Sequence, residues 1–212
     1  MSIFDVLLIA MVLGTVAVLL MAAVAAFQRR RGFVWRSLGG LLVLWVVYLA
    51  WGTMVAVATP QRILSIGSDR CFDEMCFAVT GFRRTPRIEG GSHATQAHGV
   101  FYIVAVRMTS RSRGRAQHEA GRKGMLIDQA GRVYDVSAEG MRALVDAEGP
   151  SPGLEADLSP GESVSAKLVF DLPSDVQRPG FMLGSSLAFY PPRIVIADDM
   201  HFLHKPTLTP LE

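Results

Sequence analysis

The chain has 212 residues, of which 50% are hydrophobic, and its formal net charge is +2. The charge is divided unevenly, because residues 1–60 hold four arginines and one aspartate, a net +3, which leaves −1 for the rest. The pI of 8.7 therefore reflects one short N-terminal stretch, which excludes a polyanion-binding surface as its source. The hydrophobic residues are also concentrated there, and the remainder has the length and composition of one globular domain of about 150 residues.

Two long apolar runs lie on either side of the basic stretch 28–37. Neither Val6–Phe27 nor Ser37–Thr59 contains a charged residue, and each is long enough to cross a hydrocarbon core of about 30 Å as a helix. We therefore predict a transmembrane helical hairpin over residues 1–60. A cleaved signal peptide is the alternative for the first run, but residues 1–5 carry no positive charge and the apolar core exceeds the usual length of about 7–15 residues.

The orientation of the hairpin follows from its basic loop, because clustered Lys and Arg in a short loop stay on the cytoplasmic side. The residues predicted to set the topology are Arg29, Arg30, Arg31 and Arg36. The residues predicted to anchor the helices at the membrane boundaries are Phe33, Trp35, Tyr48 and Trp51. We expect a two-pass protein of a bacterial inner membrane, with everything after Pro60 in the periplasm or outside the cell.

The first apolar run contains small residues spaced by multiples of four, namely Ala10, Gly14, Ala22 and Ala26. Small residues let another helix approach closely, which is how helices gain packing energy in lipid. We predict that the second helix packs on them, with a helix of another protein as the alternative. Neither run places a charge at membrane depth, which argues against a proton relay, an ion pathway or a voltage sensor.

The only two cysteines, Cys71 and Cys76, lie in a predicted tether over residues 61–75. In an oxidising extracytoplasmic compartment, two cysteines this close predict a local disulfide. A redox-active pair is a second interpretation, although the thioredoxin spacing has two intervening residues and this pair has four. Metal or haem attachment is a third, and it lacks the Cys-x-x-Cys-His arrangement.

The rest of the chain, residues 76–212, reads as short β-strands separated by turns rich in Gly, Asp and Pro. The predicted strands are Cys76–Phe82, Val100–Met108, Met125–Ile127, Val133–Val136, Ser163–Leu172, Phe181–Leu183 and Arg193–Ala197. Apolar and polar residues alternate in several of them, which predicts an antiparallel sandwich with one face of each sheet in water. One short helix is expected over Ser137–Asp146, capped by its first residue, with Met141, Leu144 and Val145 on one face.

Three segments carry a resemblance to a known family. They are Tyr102–Ser110, the hairpin Leu126–Tyr134 with its Leu-x-Asp-x-x-Gly-x-x-Tyr pattern, and Leu158–Pro173 with a Pro-Gly-Glu turn before a strand ending Val-Phe-Asp-Leu-Pro. Over about residues 76–197 the chain resembles a family of bacterial extracytoplasmic immunoglobulin-like domains of unknown function. It departs from the family at Met108, where Asn often precedes Thr or Ser. Residues 198–207 also resemble a C-terminal segment of membrane-anchored relatives.

The resemblance implies a β-sandwich and no catalytic residues. The fold class predicted from the whole chain is a membrane-anchored all-β protein, in which an N-terminal two-helix transmembrane hairpin precedes an immunoglobulin-like antiparallel β-sandwich.

Motifs for catalysis or cofactor binding are incomplete. His118-Glu119 does not continue to the second histidine of a zinc helix, and no glycine spacing matches a phosphate-binding loop. His201 and His204, beside Asp198 and Asp199, form a weak metal-binding pattern. We therefore expect no cofactor, no metal and no catalytic residue.

A basic stretch from Arg107 to Lys123 lacks the interleaved aromatic residues of a nucleic-acid site. We expect it to be a solvated loop, with anionic lipid or an acidic partner as the alternative. No nucleic-acid partner is expected.

The sequence thus predicts a non-enzymatic accessory subunit of a larger inner-membrane complex, for example a photosynthetic or respiratory one. Its predicted partners are membrane lipids and other integral membrane proteins. A membrane-anchored sensor that binds a ligand or peptide is the first alternative. A redox or metal-handling protein that uses the cysteines and the C-terminal histidines is the second.

Overall fold

A computed structural model describes residues 3–90, 93–185 and 205–212, with the side chains of residues 3–5 and 93 excepted. The described residues fall into two compact units, one made of residues 3–61 and 205–206 and the other of residues 62–185 and 207–212. The helices are α1 (Ile3–Phe27), α2 (Arg31–Ala58) and α3 (Ala138–Glu148). The strands are β1 (Arg70–Phe72), β2 (Met75–Gly90), β3 (His93–Ser110), β4 (Arg122–Ile127), β5 (Val133–Tyr134), β6 (Ser163–Leu172), β7 (Gly180–Ser185) and β8 (Thr209–Pro210).

The first unit is a hairpin of two long apolar helices, as predicted. α1 ends in a backbone motif in which Arg29 N–H bonds to Ala26 C=O and Arg30 N–H bonds to Ala25 C=O, both at 2.9 Å. This is the hydrogen-bond pattern of a Schellman cap, and Arg29 occupies the left-handed position usually taken by glycine, with φ of 58°. The chain can therefore reverse direction within three residues.

This tight turn corrects the predicted basic loop of residues 28–37. α2 already begins at Arg31, so Arg31 and Arg36 lie in its first turns together with Phe33 and Trp35. Arginine and aromatic residues are compatible with a helix. The second helix can therefore begin directly after the cap of α1.

The second unit contains two four-stranded antiparallel sheets, which confirms the predicted sandwich. Their strand orders are β1-β2-β3-β6 and β5-β4-β7-β8. One apolar core joins them, because Tyr102, Val104 and Phe170 of the first sheet belong to the same buried cluster as Leu126 and Phe181 of the second. The Phe170 and Phe181 rings meet edge to face at 6.4 Å. The inward residues of β6 alternate with outward ones, as predicted.

Part of the outer face of the first sheet is covered by a helix, which corrects the prediction that this whole face lies in water. α3 packs on it and forms a second core with Phe101, Ile103 and Val169. A Cβ at Gly140 of α3 would lie 2.5 Å from Val169 Cγ1, so the close approach of helix and sheet depends on this glycine. The apolar run along β3 is continuous because both of its faces are buried.

The capping prediction for α3 is confirmed, since Ser137 Oγ accepts a hydrogen bond from Gly140 N–H at 3.0 Å. The predicted buried face is correct for Leu144 but wrong for Val145, which is exposed, while Ala143 is buried in its place. The helix buries a narrow stripe of Gly140, Ala143 and Leu144, because it lies directly on a sheet.

The strands also differ from the prediction at the boundaries of the sandwich. Residues 61–75 are not a separate tether, because β1 lies within them and Ile63 forms a parallel bridge with Leu208. Both β1 and β8 are only two or three residues long, too short for a recognisable alternation. The predicted strand Arg193–Ala197 lies outside the described residues.

Candidate functional site

The two helices of the hairpin contact each other along one seam. The less exposed residues of α1 are spaced alternately by three and four, at Leu8, Met11, Thr15, Val18, Ala22 and Ala25. Those of α2 follow similar spacings, at Val34, Ser37, Leu41, Trp45, Tyr48, Gly52, Val55 and Ala56. This pattern is typical of left-handed helix pairs. It is visible in the sequence as a heptad, and our reading of small residues alone missed it.

A side-chain hydrogen bond between Trp45 and Thr15 joins the helices within the seam. Trp45 Nε1–H donates to Thr15 Oγ1 at 3.0 Å, and Thr15 in turn donates to the carbonyl of Met11 at 2.7 Å. The Trp45 ring also meets Tyr48 edge-on at 5.8 Å. Polar groups that bond to each other across two apolar helices fix the register of the pair.

The predicted small-residue stripe is mostly outside the seam, which corrects our expectation that α2 packs on it. Ala22 is buried, but Ala10, Gly14 and Ala26 are exposed, and a Cβ added at Gly14 would meet no atom within 4 Å. The reason is geometric. Four residues of an α-helix turn through about 400°, so a stripe of fours rotates by about 40° at each step and winds off the seam.

The outward surface of the hairpin is apolar. Leu13, Leu20 and Leu42 are each about two-thirds exposed, as are many of their neighbours. Both helices are long and apolar enough to cross a membrane, and only 6% of the most apolar window of α1 and 17% of that of α2 is buried. Exposed apolar surface this large and continuous is typical of a site covered by lipid or by another protein.

The predicted anchors and topology residues are distributed as follows. Trp35 and Trp51 are exposed and Phe33 is nearly half exposed, whereas Tyr48 is only 6% exposed. Tyr48 therefore does not point outward as an interfacial anchor, because it lies on the seam face beside Trp45. Arg29, Arg30, Arg31 and Arg36 are all exposed at the turn end of the hairpin.

The predicted disulfide between Cys71 and Cys76 is formed. It links β1 to β2 at directly opposed positions, and so it fixes the first edge strand of the sandwich. Next to it, the Phe72 ring lies close to two guanidinium groups, with Arg122 Cζ 3.6 Å and Arg70 Cζ 4.7 Å from its centroid. Both arginines are buried, so β1 attaches the first sheet to β4 of the second.

Two of the motifs behind the family resemblance are turn-stabilising structures. In the hairpin Leu126–Tyr134, Asp128 is almost fully buried and accepts hydrogen bonds from Ala130 N–H, Arg132 N–H, Arg132 Nε–H and Tyr134 O–H, at 2.6–3.0 Å. Gly131 adopts the left-handed conformation, with φ of 80°. The aspartate, glycine and tyrosine of the pattern are therefore structural.

The Pro-Gly-Glu turn is stabilised by the side chain of its glutamate, Glu162. Glu162 carboxylate accepts from Ser159 N–H at 2.8 Å, while Glu162 N–H bonds to Ser159 C=O at 3.0 Å. Proline at the second position and a left-handed Gly161 at the third, with φ of 77°, match the chemistry of a type II turn. Ser110 bonds to this turn through its N–H and C=O, which joins the motif to the end of β3.

The basic stretch from Arg107 to Lys123 is largely paired with carboxylates. Asp69 accepts from Arg107 at 3.1 Å and from Arg111 at 2.8 Å. Arg122 pairs with Glu119, and its side chain is only 2% exposed. Part of the basic stretch is therefore held against the sandwich by ion pairs, unlike the solvated loop that we predicted.

Two groups of charged side chains lie on the first sheet. Asp171 accepts from His98 N–H at 2.9 Å, from Gly99 N–H at 3.2 Å and from the His98 ring at 2.8 Å. The hydrogen bond between the His98 ring and Asp171, together with the charge of that carboxylate, raises the pKa of His98 above its usual value. Burial alone would raise the pKa of Asp171, but the hydrogen bonds outweigh it and the pKa is lowered.

The second group lies at the end of α3. There, the hydrogen bond from Lys167 and the charge of Arg83 lower the pKa of Glu148.

The outer edge of β2 is relevant to the sensor alternative, because a sensor that binds a peptide by strand addition requires a sheet edge that can accept a strand. Beyond Phe77 no strand in the described part of the chain pairs with this edge. It contains two register shifts, Pro86, and the charged side chains of Arg83, Arg84 and Arg87. Bulges, proline and charge are the features that protect edge strands from added strands.

Metal-binding residues do not converge within the described ranges. No group of three or more His, Cys, Asp or Glu side chains there is placed to hold a metal ion. The weak pattern of His201 and His204 lies outside those ranges. The cysteines of the redox alternative are joined to each other in the β1–β2 hairpin.

The described residues thus form an antiparallel β-sandwich preceded by two long apolar helices. No family model matches the chain, and no curated protein matches it significantly. A conserved hypothetical protein from Bacillus anthracis is 12% identical with a TM-score of 0.46, over 59% of this chain and 91% of its own. An uncharacterized β-sandwich protein from Clostridium difficile is 11% identical with a TM-score of 0.42, over 73% and 96%.

A secreted protein from Mycobacterium tuberculosis, MPT63, is 13% identical with a TM-score of 0.35, over 58% of this chain and 90% of its own. With such low TM-scores, these likenesses carry no argument about function. The fold rests on the strands and their register.

Proposed function

We propose that this chain is a two-pass membrane protein whose hairpin anchors an immunoglobulin-like sandwich outside the cytoplasm. The observation that carries the proposal is the outward apolar surface of α1 and α2. In water, burying such a surface is strongly favoured, and the hairpin buries little of it internally. Lipid is the solvent in which this surface is at its lowest free energy.

The orientation rests on the four arginines at the turn of the hairpin. They stay cytoplasmic by the positive-inside rule, which sends both the N-terminus and the sandwich across the membrane. The disulfide supports the same assignment, because disulfides persist in oxidising compartments outside the cytoplasm. The sequence resemblance to extracytoplasmic immunoglobulin-like domains agrees with both.

We further propose that the protein is a non-enzymatic accessory subunit of a larger membrane assembly. Ala10 and Gly14 are exposed within about 40° of each other on α1. They leave room for a helix of another protein to approach the backbone. Ala17 and Met21 are also exposed, and they lie at similar angles around the axis of α1, so they extend the same side of the helix.

Site-specific photocrosslinking tests this role. A benzoylphenylalanine at Met21 reports on the side that carries Gly14, and the same probe at Leu19 lies about 160° around the helix. We expect the Met21 probe to capture one defined membrane protein in high yield, with mostly lipid captured from Leu19. Lipid alone at both positions, together with a monomeric chain in mild detergent, would contradict the accessory role.

A further inference from the structure

A shallow groove runs along one side of the hairpin at its turn end. It lies between the last turns of α1 and the start of α2, and its volume is about 700 Å³ with the solvent space at its mouth included. The polar residues that line it are Gln28 and Arg30, both at the turn, and Phe33 of α2 adds an aromatic ring. The groove is therefore polar at the turn and apolar away from it. The apolar residues of α1 that line it are Leu20, Met21, Val24 and Ala25.

The turn beside the groove carries positive charge that the hairpin does not neutralise. Its four exposed arginines are Arg29, Arg30, Arg31 and Arg36. The one acidic residue of the hairpin, Asp5, lies at the opposite end of α1. In addition, α2 begins here without a side-chain cap and without an acidic residue in its first turn. Because the N-terminal end of a helix has a partial positive charge, an anion complements both the helix and the arginines.

The backbone of the turn holds Arg30 in place. Its N–H bonds to Ala25 C=O at 2.9 Å. Its own C=O accepts from Phe33 N–H at 3.1 Å and from Val34 N–H at 3.3 Å. Arg30 is thus joined to both helices through main-chain atoms alone, and these bonds leave its guanidinium group available. A guanidinium group can donate two parallel hydrogen bonds to a phosphate.

We propose that this groove binds one anionic phospholipid of the cytoplasmic leaflet. The phosphate group interacts with Arg30 and Gln28, and an acyl chain lies along Leu20 and Val24. A groove this open covers too little of a small molecule to retain it, whereas the bilayer itself covers the remainder of a lipid. The cytoplasmic leaflet is negatively charged, and basic pockets on this side of membrane helices bind anionic head groups. The inference rests on the proposed function, because a phospholipid reaches the groove only if the hairpin lies in a membrane.

The groove stays open when a partner helix packs on Gly14, as proposed above. Helices that meet at small residues commonly cross at about 40°. Gln28 lies about 21 Å from Gly14 along the helix axis, and there such a partner is displaced sideways by roughly 15 Å. This exceeds the diameter of a helix, about 10–12 Å, so the partner no longer covers α1 at the turn. Met21 lies only about 10 Å from Gly14 and remains within reach of the partner.

The test counts the lipids bound to the full chain in a neutral detergent by native mass spectrometry. Dioleoylphosphatidylglycerol is titrated in parallel with dioleoylphosphatidylcholine, which has the same acyl chains and no net charge. We expect one phosphatidylglycerol molecule to bind at least tenfold more tightly than phosphatidylcholine. Equal affinity for the two lipids would overturn the proposal.

Variants separate the groove from the general charge of the turn. Arg30→Gln removes the guanidinium group that lines the groove, and Arg36→Gln removes the same charge from a position that does not line it. Each variant keeps three of the four arginines that set the topology. We expect Arg30→Gln to weaken phosphatidylglycerol binding about fivefold, with Arg30→Lys and Arg36→Gln close to the wild type. Equal weakening by Arg30→Gln and Arg36→Gln would reveal a diffuse charge effect and would overturn the assignment.

Two further measurements test the apolar wall and the kind of occupant. Glycerol phosphate carries the phosphate without acyl chains, so we expect it not to displace the bound lipid at equal concentration, and displacement would overturn the role of the wall. In native membranes, a benzoylphenylalanine probe at Val24 should capture lipid. Capture of a protein at Val24 would overturn the proposal.

Membrane fractionation distinguishes a failure of the lipid site from a failure of the membrane anchor. A wild-type chain found in the soluble fraction contradicts the anchor and, with it, the lipid site. A membrane-bound chain without a preference for phosphatidylglycerol contradicts the lipid site alone.

Discussion

In the sandwich, Val104 and Phe170 are fully buried between the two sheets, whereas Leu13 and Leu20 of the hairpin are each 64% exposed. Both regions are rich in apolar side chains. The sandwich turns these side chains toward its interior, whereas the hairpin turns most of them toward its surroundings. The sandwich is arranged for water, with an apolar interior and charged outer edges. The hairpin buries only its seam and exposes most of its other apolar side chains, an arrangement typical of helices in an apolar solvent. Five experiments challenge this contrast.

The largest effect should come from a buried aromatic residue of the sandwich. Phe170→Ala removes a ring that touches both sheets, and we expect it to lower the free energy of unfolding by about 3–5 kcal/mol. Phe27→Ala is the control, because Phe27 at the end of α1 is 91% exposed and should cost less than about 0.5 kcal/mol. Unfolding of the full chain in micelles provides both values. Equal losses would contradict the contrast.

The next effect compares two valines that are each 50% exposed, Val16 in α1 and Val133 in β5. An aspartate at the centre of a membrane helix costs about 2.5–3.5 kcal/mol, so Val16→Asp should deplete the chain from the membrane fraction. Val133→Asp places the same charge in water and should change stability by less than about 1 kcal/mol. If both variants remain in the membrane equally, the hairpin surface does not face lipid.

Loss of the disulfide should have an intermediate effect. Replacing Cys71 and Cys76 with serine removes a very short closed loop, and we expect the sandwich to lose about 2 kcal/mol. A reducing agent should lower the wild-type melting temperature to that of the variant and leave the variant unchanged. A wild-type chain that is insensitive to reduction would show that this bond is absent in the purified protein.

The hydrogen bond in the seam should contribute less. Thr15→Val and Trp45→Phe each remove one partner, and their double-mutant cycle should give a coupling energy of about 0.6 kcal/mol, as for other hydrogen bonds between membrane helices. Unfolding in micelles measures the four variants. A coupling near zero would mean that packing alone holds the seam.

The smallest effect is a pH dependence of the sandwich from His98 and Asp171. The pKa of His98 is raised, so its contribution is full below about pH 6.5 and is lost as the pH rises through the higher folded value. The pKa of Asp171 is lowered, so its contribution is present above pH 3.8 and is lost as the pH falls through the lower folded value. Asp171→Asn should flatten both limbs of the stability profile, and an unchanged profile would contradict the pairing.

Much of this fold could be predicted from local patterns. Run length identified α1 and α2, alternation identified β6, and the serine before Ala138 identified the start of α3. The cysteine spacing predicted the disulfide. Each of these signals lies within a few residues of the feature that it predicts.

Features that depend on distant parts of the chain could not be predicted in this way. The position of α3 on the outer face of the first sheet could not be predicted without knowing the fold. The unbroken apolar run of β3 was nevertheless a signal that both faces of this strand are buried. The error at Ala10 and Gly14 came from counting multiples of four instead of alternating threes and fours. The parallel bridge between Ile63 and Leu208 joins opposite ends of the sandwich sequence, so no local pattern pointed to it.

The most direct test of the central claim is the topology of single cysteines placed in a background without Cys71 and Cys76. Val133→Cys marks the sandwich and Gln28→Cys marks the turn of the hairpin, and both positions are exposed. In cells with a permeable outer envelope and an intact inner membrane, an impermeant maleimide should label Val133→Cys and spare Gln28→Cys until the inner membrane is opened. Protection of both positions, or labelling of the turn alone, would contradict a hairpin that holds the sandwich outside the cytoplasm.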